Sequence, residues 1–215
     1  MHWVDRGPEP VGLGPTRSRY TPRWIAHYEV GTGSRPSDSH WRGFRDDLSR
    51  VFFSLCAYCE ESCRGVVDHF RPKSRFPELV YEWSNWVLAC DSCNLVKGDK
   101  WPPGGYVDPC ARSRLGRPEN FFDFDTSSGT IIPRPGLGPV RRKKAIRTIS
   151  DLNLNAHHHV QWRLLLLRAI KESLADNPEE DPAHRGSLEF FIARSTPLSS
   201  SARALLAERG YSFAP

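Results

Sequence analysis

Hydrophobic positions change period several times along the chain, and each change predicts an element. From Ser37 onward, Trp41, Phe44, Leu48, Val51, Phe52 and Leu55 recur at helical spacing, with Ser37 or Asp38 placed to cap the start. This amphipathic helix leads straight into Cys56, and its apolar face reads as core. Residues 66–70 and 86–89 are short apolar runs of strand type. The first ends at Arg71-Pro72, because proline lacks the ladder donor. A short helix is expected over 94–98, with Gly98 at its end. Residues 101–139 are turn-rich, with strands expected at 121–124 and 130–132 across a Ser-Gly turn. After Arg141-Arg142-Lys143-Lys144, helical spacing resumes at Ala145, Ile146, Ile149 and Leu152. A longer helix is predicted over 157–175, stopping before Asn177-Pro178, then two more over 186–194 and 200–209 with Gly210 as the stop. Residues 1–36, rich in Pro, Gly and Arg, predict irregular structure with one short helix near Trp24 to Tyr28. No internal repeat is visible.

At 215 residues the chain fits one ordinary domain or a compact core with a helical appendage. An apolar fraction of 39%, with 18 prolines and 16 glycines, marks a loop-rich protein whose fold is expected to lean on a metal. Lys and Arg number 30 against 25 Asp and Glu, a net charge of +5. That bias is compatible with nucleic acid without selecting it. No apolar run approaches a membrane span, the longest being the four leucines 164–167, so no membrane partner is expected. The opening Met1-His2-Trp3-Val4-Asp5-Arg6 lacks the apolar stretch of a signal peptide, which points to a cytoplasmic location. Thiols stay reduced there, so paired cysteines argue for metal rather than disulfides.

The pairing is clear. Cys56 and Cys59 form one Cys-x-x-Cys word, Cys90 and Cys93 a second, with a long loop between them. Each such turn delivers two thiolates to one metal, and four thiolates close a tetrahedral zinc site of structural type. The competing assignments are four unrelated buried thiols or a redox pair. Cys63 and Cys110 are left over as small buried or half-exposed residues, with Cys63 the competitor if one ligand is misassigned.

Between the knuckles lies VDHFRPK (67–73), and the second knuckle sits inside NWVLACDSCNLVKG (85–98). Asp68-His69, Asn85 and Asn94, in that order and between Cys-x-x-Cys pairs, resemble the HNH (ββα-metal) endonuclease motif. The resemblance implies an α+β fold: a zinc-stapled ββα core over residues 37–139, an irregular segment 1–36 before it, and a helical region 140–215 after it. It implies catalytic roles for Asp68, His69, Asn85 and Asn94. His69, neutral at physiological pH, takes a proton from water as general base. Asp68 and Asn94 offer hard oxygen ligands to a magnesium or manganese ion, and Asn85 positions the loop and the base. Adjacent strand residues point to opposite faces, so the strand must end or twist at Asp68-His69 for both to serve one site. Because Asn94 follows Cys93 directly, the structural metal is expected to tether one ligand of the catalytic one.

Arg71, Lys73 and Lys97 flank this set as candidate phosphate contacts, with solvated surface charge the competing assignment. Residues 141–144 read as a solvated helix start. His157, His158 and His159 also read as the polar start of a helix rather than as ligands, since consecutive helical residues diverge by about 100°. Trp83, Trp86 and Trp101 read as packing rather than base-stacking platforms.

The words FFSLCAYCE, VDHFRPK, WSNWVLACDSCNLVKG, YVDP and TISDLNLN resemble, more narrowly, the HNH component of the Septu anti-phage system, also found in retron-associated defence. The similarity spans most of residues 50–155. It implies DNA as substrate and an SMC- or ABC-like ATPase as partner. Two other functions compete: a non-catalytic zinc-stapled nucleic-acid-binding module, and a subunit whose C-terminal helices dock on an ATPase.

Overall fold

The computed structural model describes residues 1–176 and 182–211. Helix α1 (Leu13–Ile25) runs on as a π turn over Ala26–Val30, so half of the stretch expected to be irregular is helical. Its anchoring is sparse, which is why periodicity missed it. Leu13 and Trp24 are buried, while Arg19 and Arg23 lie outside. Arg17 pins the helix to the loop at 81–82, donating to the Tyr81 carbonyl at 3.1 Å and pairing with Glu82 at 2.9 Å.

The single helix expected over 37–55 is two short ones, α2 (Ser39–Arg42) and α3 (Arg45–Val51), separated at Gly43-Phe44. Asp38 does not cap α2; its carboxylate pairs with Arg35 at 2.8 Å. Phe53 and Ser54, both at positive φ (54° and 56°), then turn the chain before Cys56. The apolar stripe is continuous in sequence, but the backbone must reverse to present that cysteine.

Strands β1 (Val66–His69) and β2 (Trp86–Ala89) pair antiparallel, with Val66 opposite Ala89 and His69 opposite Trp86. Helix α4 (Asp91–Lys97) follows at once, completing the expected strand, strand, helix order. It starts three residues earlier than expected because the Cys90 sulfur caps it, accepting from the Cys93 N–H at 3.4 Å. A second hairpin, β3 (Phe122–Asp125) and β4 (Thr130–Pro133), also pairs antiparallel. Helices α5 (Pro139–Asp151), α6 (His157–Asp176), α7 (Pro182–Ile192) and α8 (Ser199–Glu208) close the described chain. The proposed stop at Asn177-Pro178 falls outside the described residues. No helix among them is long and apolar enough to cross a membrane.

Two apolar clusters hold these elements. The principal one joins residues from Met1 to Leu154, including Trp24, Trp41, Tyr58, Trp86, Leu88 and Ala145. A satellite cluster is built from Leu167, Ile170, Leu188, Ile192, Ala202, Leu205 and Leu206 of the last three helices. Helix α5 therefore contributes Ala145 to the principal cluster, while the satellite cluster is drawn from the helices that follow it.

Candidate metal centre and active cleft

The sulfurs of Cys56, Cys59, Cys90 and Cys93 all lie within 4.8 Å of one another, with Cys59 and Cys90 3.9 Å apart. Zinc–sulfur bonds of about 2.3 Å set tetrahedron edges of about 3.8 Å. A disulfide would need about 2.05 Å, and all six cysteines are free thiols. The four cysteines thus form a closed metal site with the dimensions zinc requires. Backbone geometry builds it: Glu60 sits in the left-handed region (φ 67°), and the Ala57 N–H donates to the Leu88 carbonyl at 2.8 Å. The first knuckle is thereby laid along β2. Cys63 stands outside the cluster, its thiol pushed up to about 12 by burial, and burial does the same to Cys110.

The second site opens beside this one. A cleft of about 780 Å³ is lined by Val66 to His69 of β1, by Pro72 and Lys73, and by Asn94 and Leu95 of α4. Asp68 and His69 point to different surroundings, as strand alternation demands, yet both reach the cleft because β1 ends at His69. Asp68 turns toward α4. One carboxylate oxygen accepts from Lys97 Nζ at 2.9 Å, the other from the Tyr58 hydroxyl at 2.6 Å. Burial pushes this carboxyl above its ordinary value, and the Lys97 charge pulls it back.

His69 turns the other way. Its Nε2 lies 2.8 Å from the Val80 carbonyl oxygen. A carbonyl can only accept, so Nε2 carries the proton and Nδ1 keeps its lone pair. Trp41 packs edge-on against the ring at 4.9 Å. Burial, reinforced by the nearby Lys73 charge, lowers the imidazole pKa to about 3, so the ring is neutral at any physiological pH.

Asn85 is buried and does not line the cleft. Its amide grips the backbone of Arg71 from both sides, accepting from the N–H at 2.8 Å and donating to the carbonyl at 3.0 Å, with a further bond to the Leu79 carbonyl at 3.2 Å. The Asn85 backbone carbonyl also accepts from the Phe70 N–H at 2.8 Å, which ties down the chain just past β1. Asn94 is half-buried and lines the cleft directly.

The candidate phosphate contacts separate. Lys73 lines the cleft with its ammonium 5.5 Å from the Trp41 ring centre, and burial lowers its pKa. Arg71 is exposed, over Phe76 and Trp101 rather than in the cleft. Lys97 departs from the sequence expectation. Its side chain is fully buried, donating to Asp68 and, at 2.7 Å, to the His69 carbonyl. No ammonium so enclosed can meet a phosphate; it joins α4 to the end of β1 instead.

Several residues of the site escaped sequence reasoning. Tyr58 lies inside the first knuckle, where it reads as spacer. His159, expected at a polar helix start, is buried between the Glu61 carboxylate and the Cys93 sulfur, with Nε2 3.9 Å from the sulfur. The available signal was spacing. His159 and Arg163 are four apart and share a buried helix face, whereas His157 and His158 are exposed. Tyr28, Asp38, Trp41, Arg42 and Arg45 line the far side of the cleft, from a region that reads as support.

Comparison with known proteins gives two likenesses. The family model of HNH endonucleases matches residues 56–100. The chain is 44% identical over 48 residues to the Septu protein PtuB of Bacillus thuringiensis, a match covering 20% of this chain and 19% of that protein. Residues 56–100, which hold the cysteine cluster and the ββα unit, are thus similar to HNH endonucleases, and the match to PtuB spans about a fifth of that relative's length.

Proposed function

We propose that this chain is a metal-dependent endonuclease that hydrolyses phosphodiester bonds of DNA, and that it is the effector nuclease of a cytoplasmic anti-phage defence complex with an SMC- or ABC-like ATPase. The observation that carries the catalytic part is the state of His69. A neutral imidazole with its proton committed to a carbonyl presents a bare Nδ1 at a cleft it shares with Asp68 and Asn94. A binding module has no use for a base held in one tautomer. The defence assignment is supported by the partial likeness to PtuB.

The donor set suits a hard cation. Each Asp68 oxygen accepts one hydrogen bond and so retains a further lone pair, and Asn94 offers an amide oxygen. A magnesium or manganese ion there would supply charge stabilisation to the phosphate and acidity to a bound water. The protein's own groups do the rest. His69 Nδ1 accepts the proton of the attacking water, Val80 and Trp41 hold the ring in position, and Lys97 holds the Asp68 carboxylate in place while its charge opposes the effect of burial. Lys73 places positive charge at the rim of the cleft, where a phosphate would enter.

Plasmid nicking tests this, run with magnesium and with chelator, on the chain alone and with its ATPase partner. The expected result is metal-dependent nicking that His69→Ala abolishes while leaving zinc content and fold intact. Full cleavage by His69→Ala protein would sink the assignment.

A further inference from the structure

The HNH match ends on one side of the cleft. The other wall comes from residues 28–45, outside the matched 56–100, and carries Tyr28, Asp38, Trp41, Arg42 and Arg45. We propose that Arg42 and Arg45, on α2 and at the start of α3, clamp backbone phosphates of the DNA strand lying over Asp68, His69 and Asn94. The proposal takes its ligand from the nuclease assignment above.

Charge in the cleft is unevenly answered. Asp68 is met by Lys97 at 2.9 Å, and Asp38 by Arg35 through two contacts of 2.8 and 3.1 Å. Arg42 is left 3.9 Å from that already engaged Asp38, with 74% of its side chain exposed. Arg45 pairs with its sequence neighbour Asp46, itself 80% exposed. Exposed pairs of this kind contribute little and give way readily to a better anion. A guanidinium fork matches phosphate oxygens two at a time, which an ammonium cannot do.

The wall is also fixed relative to the chemistry. Trp41, the residue before Arg42, is buried, with its ring against His69 on one side and Trp24 at 5.2 Å on another. Lys73 stands over the same indole from the HNH side. Three cations therefore edge one cleft from two walls, held in register by one tryptophan. A strand bound between them is positioned by side chains that the HNH motif does not contain.

The experiment measures DNA affinity against salt, in the His69→Ala background so that the DNA survives, by fluorescence anisotropy of a labelled duplex with magnesium present. Losing two phosphate contacts lowers the magnitude of the slope of log K against log salt by about 1.8. Arg42→Ala/Arg45→Ala is expected to show that drop and a loss of affinity of at least about tenfold. Arg42→Lys/Arg45→Lys is expected to recover most of the slope, since each lysine still neutralises a phosphate. Arg142→Ala/Lys143→Ala, which removes two exposed charges from α5, should leave the slope unchanged. An unaltered slope in the alanine pair, or an equal drop in the α5 pair, overturns the clamp. The nuclease assignment fails separately: protein with His69 intact that binds DNA through the clamp but never cuts would refute catalysis and leave the clamp standing. No binding by any variant refutes both.

Discussion

The two β-hairpins make a controlled comparison within one chain. Each pairs four residues with four, antiparallel, and each is gripped by one asparagine amide that binds a single backbone residue from both sides. Asn85 holds Arg71 beside β1, and Asn155 holds Ile131 in β4 at 2.8 and 2.9 Å. There the likeness ends. β3 alternates buried and half-buried positions, β4 buries only Ile131, and the two close through a tight turn, where Asp125 accepts from the Ser127 and Ser128 N–H groups. β2 is buried along its whole length, and sixteen residues separate it from β1, residues 70–85. A short local turn holds the second hairpin. The first depends on contacts distant in sequence: the zinc knuckle against Leu88, Lys97 under Asp68, and Arg6 donating to the Trp86 carbonyl at 2.8 Å. The candidate site lies on the hairpin with the long connection, because that loop delivers Val80 to His69 and Lys73 to the cleft.

The difference can be broken from its strongest support downward. Cys93→Ser removes a metal ligand while leaving the Cys90 cap of α4 in place, and structural zinc contributes on the order of 10 kcal/mol in small domains. Loss of bound zinc, loss of cleavage and a collapsed thermal transition are expected, read by metal analysis and calorimetry. Lys97→Met leaves the Asp68 carboxylate buried without its cation, a change that costs about 3–5 kcal/mol in chemical denaturation. Adding Asp68→Asn should recover part of that stability without recovering cleavage.

Two glycines then test the hairpins one against the other. Gly65, at the entry to β1, has φ 60°, and an added Cβ would lie 2.6 Å from the Leu88 side chain. Gly129, in the second turn, has φ 72°, and a Cβ there would meet Leu164 at 2.8 Å. Gly65→Ala and Gly129→Ala should each lower stability by about 2–4 kcal/mol, from overpacking plus a disfavoured backbone. Only Gly65→Ala should also reduce cleavage of nicked-plasmid substrates at temperatures where both variants remain folded. Equal losses of activity would mean that the second hairpin supports the site as directly as the first. The smallest effect is expected from Asp125→Ala, which removes exposed turn bonds: a shift of about one or two degrees in the melting temperature and unchanged cleavage.

Much of this arrangement could be read from residue order. The four zinc cysteines, the two strands of the first hairpin, the helix that carries Asn94 and the strands across the Ser-Gly turn all announce themselves through spacing or turn chemistry, which are local properties. The failures share a cause. Lys97 reads as surface charge because a sequence shows charge and not burial. α1 reads as irregular because only Leu13 and Trp24 anchor it. The helix expected over 37–55 reads as continuous because the stripe of apolar residues does not reveal that the chain must turn back at Phe53-Ser54. His159 reads as one of three polar helix residues because its partners, Glu61 and Cys93, lie 98 and 66 positions away.

By itself, then, the order of residues determined the cysteine cluster: two Cys-x-x-Cys words that the fold brings together leave few uses other than a metal. Ligand identity and spacing are covalent facts. Only the tertiary structure decided which cations face solvent and which are spent holding the site, and that the cleft takes one wall from a segment with no nuclease motif. Those outcomes depend on packing between residues far apart in the chain, where burial and partner distance, not residue type, set what a charge can do.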